Sequence, residues 1–263
     1  MSSTLIKDNF IFMTLPELQD KSWHEISKDP NDPEVLKYRR NQLIQAGSTK
    51  VAQDRVTYLA SLARGKKVLD VGVVEHTREA VLSPNWLHKN LAKESKSCLG
   101  VDILQEEVDY LVSQGFNIVC ADIVKQPLLD KFDLVVCGEV LEHISNVGDF
   151  MSSLSLMLKP DGRLVITVPN PWYINVIIKN MFGKSPYIDN ADHVSWFDPC
   201  TFAEIGNRNA LVLDKFTPVA IDQTPSLLSR IFFGLTPIFV FFGFQSRIFA
   251  KTMIYEFILA SKA

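Results

Sequence analysis

Closely spaced cysteines, a basic excess and any apolar run long enough to cross a bilayer are all missing from this 263-residue chain. The four cysteines, Cys98, Cys120, Cys137 and Cys200, have no metal-ligand spacing, so no zinc site and no other metal is expected. Two of them fall in apolar runs that read as strands, where a thiol acts as a small hydrophobe; this suits a reducing cytoplasm. A net charge of −3, with no Lys/Arg stripe interleaved with aromatics, leaves no electrostatic footprint for nucleic acid. The N-terminus lacks a cationic region followed by a long apolar run, so no signal peptide is expected. The uncharged stretch Ile231–Phe244 has fourteen residues, short of the roughly 20 that span a bilayer, and Pro237 interrupts it. What remains is a cytoplasmic chain, 47% apolar, able to bury one large core.

A further shortage lies in the segment Lys67-Val-Leu-Asp-Val-Gly-Val-Val-Glu-His-Thr77. It reads as a buried strand, Val68–Val71, that runs through Asp70 into a turn at Gly72. A glycine there lets backbone approach a ligand, and a following helix N-terminus can face it. Val74 and His76 stand where a nucleotide turn usually has its second and third glycines. That departure denies a nicotinamide dehydrogenase its Gly-x-Gly-x-x-Gly loop.

Four more apolar runs come after it, three of them ending in or beside acids. Leu99–Ile103 carries Asp102, a carboxylate placed to accept both hydroxyls of a ribose. Asn117–Ile123 carries Asp122, suited to the exocyclic amine of an adenine. Phe132–Gly138 leads into Glu139-Val-Leu-Glu-His-Ile144. The turn Lys159-Pro-Asp-Gly162 introduces Leu164–Pro169. Strand and helix alternate throughout, which implies a parallel sheet with right-handed crossovers.

This series of strand, acid and helix resembles the class I S-adenosylmethionine-dependent methyltransferases over about residues 50 to 222. Gly72-Val-Val-Glu-His76 and Asn85-Trp-Leu-His88 are similar to a subgroup with a variant first turn. The resemblance implies an α/β fold: a doubly wound, seven-stranded, mostly parallel Rossmann-like sheet. Residues 1–64 would be an N-terminal helical cap, and residues 65–263 the methyltransferase domain. That domain would carry a substrate-side insertion over 170–200 and an apolar insertion over 223–250, between the last two strands.

The resemblance also implies S-adenosyl-L-methionine as cofactor, bound by Asp70, Gly72, Asp102, Ile103, Asp122, Ile123 and Glu139. Its acceptor would be a small molecule, glycan or lipid-linked intermediate. His143 and His193 are the candidate bases; His143 alternatively packs at a helix start, and His193 alternatively fixes its loop. Trp172, Tyr173 and His193 are placed to line an acceptor pocket, although the two aromatics fit a core equally well. His24 and His88 read as surface or packing residues. Seven phenylalanines between Ile231 and Phe249, with flanking Arg230 and Arg247, suit peripheral contact at the inner face of a membrane or a hydrophobic lid over a lipidic substrate, or else packing on the domain or a partner chain. A non-catalytic scaffold with a degenerate turn is the alternative, and the oligomeric state is left open.

Overall fold

The computed structural model describes residues 22–48, 50–75, 77–183, 185–221, 234 and 246–260. Its strands are β1 (Ala52–Asp54), β2 (Lys67–Val71), β3 (Ser97–Asp102), β4 (Ile118–Cys120), β5 (Phe132–Gly138), β6 (Leu158–Pro169), β7 (Leu211–Ile221) and β8 (Thr252–Leu259). They form one sheet in the order β1-β7-β8-β6-β5-β2-β3-β4. Every neighbouring pair is parallel except β8, which runs antiparallel to both β6 and β7. The α-helices are α1 (Pro33–Ala46), α2 (Arg55–Ala63), α3 (Leu87–Glu94), α4 (Gln105–Ser113), α5 (Val147–Leu156), α6 (Ile174–Phe182) and α7 (Pro199–Arg208).

The doubly wound sheet is the expected one, with a strand added. Within the helical cap expected over residues 1–64, α1 stops at Ala46 and the chain enters β1 before it turns helical again. Ser48 N donates to Phe216 O at 2.9 Å, and Ala52 and Asp54 align with Val219 and Ile221 of β7. Asp54 then caps α2, its carboxylate accepting from Thr57 N at 2.7 Å. The N-terminal region therefore contributes an edge strand to the main sheet as well as helices.

β2 and β5 occupy the centre and are buried on both faces, as parallel strands between helix layers require. On one side Phe150, Met151 and Leu154 of α5 and Phe202 of α7 pack on Leu69, Val135 and Ile166. On the other, Val56, Leu59 and Ala63 of α2 and Leu87 and Leu91 of α3 pack on Val68, Leu134 and Val136. The i, i+3, i+7 spacing of the α2 residues is one helical face. Each fully buried leucine or phenylalanine contributes roughly 1.5–3 kcal/mol, far more than the propensity of so short a helix.

β4 ends at Cys120, before Asp122, where the expected strand ran on to Ile123. Asp122 Oδ1 accepts from Val124 N at 3.1 Å and Lys125 N at 3.3 Å, an Asx turn that takes the chain out of the sheet. From β2 the winding runs outward to β3 and β4, then returns across β2 to β5. That reversal opens a crevice at the C-terminal ends of β2 and β5.

Candidate active site

The crevice is a cavity of about 640 Å³, within the range of small-ligand sites. Gly72 forms its floor with φ +77°, and a Cβ there would lie 2.2 Å from Val140 Cγ2. Only glycine fits both the left-handed backbone and the contact. The two valines of the variant turn leave that approach open. Val73 is buried, and Val74 packs against the same apolar cluster while also edging the cavity. Trp86 Nε1 donates to Val73 O at 3.1 Å, bracing the turn from behind. His76 lies outside the described residues.

Asp102 holds the turn from the front. Its Oδ2 accepts from Val74 N at 3.0 Å, and its Oδ1 accepts from Ile103 N at 2.7 Å and Leu104 N at 3.2 Å. An ionised carboxylate offers about four acceptor sites, so capacity remains for one more donor such as a ribose hydroxyl. Ile103 is mostly exposed at the rim, whereas Ile123 is buried and presents itself to the cavity. Asp122 also borders the cavity; the ammonium of Lys125, 2.9 Å away, holds its carboxyl below the usual carboxylate range. Glu139 lines the far wall with φ +58°, a conformation uncommon outside glycine and typical of residues placed for function.

Asp70 departs from the expectation of cofactor contact. It is 2% exposed, does not line the cavity, and its Oδ2 lies 3.0 Å from His88 Nδ1. His88, read as a surface or packing residue, is thus a buried partner of the strand beneath the turn, while His24 is exposed. Trp172 is about half exposed, and neither it nor Tyr173 lines the cavity. Tyr173 instead precedes α6, which buries no residue of its own.

Arg55 and Asp192 are charged cavity residues that sequence reasoning missed. Arg55 opens α2, and its Nη1 lies 3.3 Å from Thr167 Oγ1, above Gly138. The signal was present in Asp54-Arg55, a capping residue followed by a cation, within the segment expected to be a helical cap.

At the mouth, the structure brings His143 and His193 together. Their ring centroids are 4.8 Å apart at an interplanar angle of 75°. His143 Nδ1 lies 2.9 Å from Asp192 Oδ2, and both residues line the cavity. Val194 N donates to Glu142 O at 2.9 Å, fastening the 185–197 loop to the turn after β5. Glu142 is 1% exposed; burial, reinforced by the charge of Glu139, pushes its carboxyl up to about 8. Burial and the neighbouring His143 lower the His193 imidazole from its ordinary value.

A glycine-floored crevice at the winding reversal, with a strand-end carboxylate tied to the turn, is the site of a class I S-adenosylmethionine-dependent methyltransferase fold. Residues 38–213 match the family described as a methyltransferase domain, and the chain belongs to that family. Among its relatives, the mitochondrial ubiquinone biosynthesis O-methyltransferase of Schizosaccharomyces pombe is 29% identical over 134 residues, 49% of this chain and 44% of that protein. The ubiquinone biosynthesis O-methyltransferase of Actinobacillus pleuropneumoniae is 29% identical over 172 residues, 55% of this chain and 70% of that one. The chain thus spans less than half the length of the first of these relatives. The magnesium protoporphyrin IX methyltransferase of Synechocystis, solved with bound S-adenosylhomocysteine, shares the fold with a TM-score of 0.51. It is 15% identical, over 90% of this chain and 92% of that one. The YcgJ protein of Bacillus does so as well, with a TM-score of 0.51 and 16% identity over 79% and 98% of the two chains.

Proposed function

We propose that this protein transfers the methyl group of S-adenosylmethionine to an oxygen of a small-molecule, glycan or lipid-linked acceptor. One observation carries the reading: Asp102 joins the Gly72 turn to the end of β3 through Val74 N, so the turn and a ribose-competent carboxylate face one cavity. The residues present fit the cofactor. Gly72 lines the cavity with a left-handed backbone that has no room for a side chain beside Val140, Asp102 retains acceptor capacity for a ribose hydroxyl, and Asp122 and Ile123 line the cavity where an adenine would lie. Glu139 and Arg55 face the amino-acid side with opposite formal charges. Bound there, the cofactor supplies an electrophilic methyl group on a sulfonium.

The chain's own task is to place an acceptor at the mouth in line with that methyl, where positioning provides most of the rate. An oxygen nucleophile also loses a proton, and His143, oriented by Asp192, is the base nearest the cavity, with His193 behind it. The relatives' names, O-methyltransferases of ubiquinone biosynthesis, favour an oxygen on a lipid-like acceptor. Residues up to 64 serve as the cofactor cap, with Arg55 as their contribution to the cavity.

The proposed location is cytoplasmic, with peripheral membrane contact through the apolar segment 231–249. No helix among the described residues is long and apolar enough to cross a membrane. Apart from Gly234 and 246–249, that segment lies outside the described residues. The test is a calorimetric titration of the full chain with S-adenosylhomocysteine, followed by label transfer from methyl-labelled cofactor into candidate phenols, glycans and prenylated phenols. Saturable one-to-one binding is expected. Absence of binding would favour a scaffold that has kept only the fold.

A further inference from the structure

A second cavity lies on the α7 side of the sheet and shares no lining residue with the crevice. It measures about 700 Å³, again within the range of small-ligand sites. One wall is a single face of α1, where Leu36, Arg39, Arg40, Leu43 and Ile44 recur at three- and four-residue spacing. Phe216 and Pro218 of β7 and Arg247, just before β8, supply more of the lining. Leu36 is 50% exposed and Ile44 68%, so this helix face keeps apolar surface in water at the cavity. The charged part of the lining has one sign. Three arginines and no acid line the cavity among the described residues, in a chain whose net charge is −3. Arg39 is already engaged: it bonds Gln42 and Glu204, which ties α1 to α7. Among the described residues, neither the Arg40 nor the Arg247 guanidinium has an ion-pair or hydrogen-bond partner.

We propose that this second cavity binds a single-chain lipid phosphate, its hydrocarbon along Leu36, Leu43, Ile44, Phe216 and Pro218 and its phosphate at Arg40 and Arg247. Charge complementarity selects an anion, because cations without counter-ions beside a low-dielectric wall focus a positive potential there. The guanidinium fork matches phosphate oxygens bidentately, and a phosphate group carries charge enough for two such partners. The apolar lining selects the tail. A free phosphate would leave that surface in water, whereas each methylene buried on it strengthens binding about fourfold. The volume suits one chain with its head group. A ligand held there would fasten α1 to β7 and to the chain entering β8, three elements that meet at this cavity. The inference stands apart from methyl transfer, since none of these residues borders the cofactor crevice.

The experiment titrates the full chain by calorimetry with monododecyl phosphate below its micelle concentration. Inorganic phosphate, dodecanoate, dodecyl maltoside and S-adenosylhomocysteine are titrated in parallel. One dodecyl phosphate per chain is expected, with inorganic phosphate at least about 100-fold weaker and no saturable binding of the maltoside. Arg40→Gln and Arg247→Gln should each weaken dodecyl phosphate about tenfold or more. Ile44→Asp, at a largely exposed position, should weaken it by a similar factor, and S-adenosylhomocysteine affinity should stay within about twofold of the parent in all three variants. Absence of one-to-one binding, parental affinity in both arginine variants, or equal binding of the maltoside overturns the site. Equal binding of inorganic phosphate overturns the tail, and equal binding of dodecanoate overturns the phosphate. The stretch 222–245, outside the described residues apart from Gly234, leaves β7 soon after Pro218 and ends just before Arg247. Binding that appears only after Phe232, Phe241 and Phe242 are changed to Ser would assign the cavity to that stretch and overturn the ligand.

Discussion

Gly72→Ala is the sharpest single perturbation of the cofactor turn, because its cost has two separable parts. At φ +77° an L side chain pays for the left-handed backbone, about 1–2 kcal/mol. The new methyl would also lie 2.2 Å from Val140 Cγ2, so Val140 must move, an overpacking cost of about 1–3 kcal/mol. The sum, about 2–5 kcal/mol, should appear as a lower denaturation midpoint with an unchanged slope in urea. Binding of S-adenosylhomocysteine should fall as well, since a turn displaced from Val140 no longer presents its backbone to the cavity. The two parts can be separated in a double-mutant cycle. Adding Val140→Ala removes the Cγ atoms that clash, so Gly72→Ala should cost only about 1–2 kcal/mol in that background, a coupling of about 1–3 kcal/mol. If Gly72→Ala matches the parent in both stability and binding, the close approach assigned to Gly72 is wrong. If the cycle shows no coupling, Val140 is not what the added methyl meets.

Three further outcomes are expected. Asp102→Ala removes the acceptor for Val74 N, Ile103 N and Leu104 N and the carboxylate for a ribose, so S-adenosylhomocysteine affinity measured by calorimetry should drop at least tenfold, and an unchanged dissociation constant would refute its role. Trp86→Phe keeps the buried ring but orphans the Val73 carbonyl, which should cost about 1–3 kcal/mol in urea denaturation and weaken cofactor binding; retention of both would show that the brace is dispensable. Replacing Phe232, Phe241 and Phe242 by Ser should release the protein from anionic liposomes in a sedimentation assay while leaving cofactor affinity intact, whereas global unfolding of that variant would place the rings in a core.

The alternation of strand and helix is legible in the sequence because parallel strands are buried on both faces and read as short apolar runs. Val68–Val71 and Phe132–Gly138 are of this kind. The acids at strand ends are legible for the same reason: Asp102 and Asp122 interrupt apolar runs where a strand would otherwise continue. β1 is not legible, since three residues with a single buried member, Ala52, carry no period. Only the parallel pairing with β7 creates the strand. Asp70 misleads because its position at the end of β2 matches that of a ligand carboxylate, while its partner, His88, comes from the first crossover. The gathering of Glu142, His143 and His193 is equally hidden, since fifty residues separate the last two and the bonds Val194 to Glu142 and Asp192 to His143 bring the loop back.

The place of β8 in the sheet sets an order on folding. Among the described strands it is the last in sequence, yet it lies between β6 and β7. Until it arrives, β7 has only the short β1 beside it, and one full edge of β6 is unpaired. The central strands can assemble during synthesis, but both flanks wait for β8 to be inserted between them. Such long-range closure is slow, and open strand edges are templates for wrong pairing while it lasts. A nascent chain stalled shortly before Thr252 should therefore be far more prone to aggregate than one stalled after Leu259.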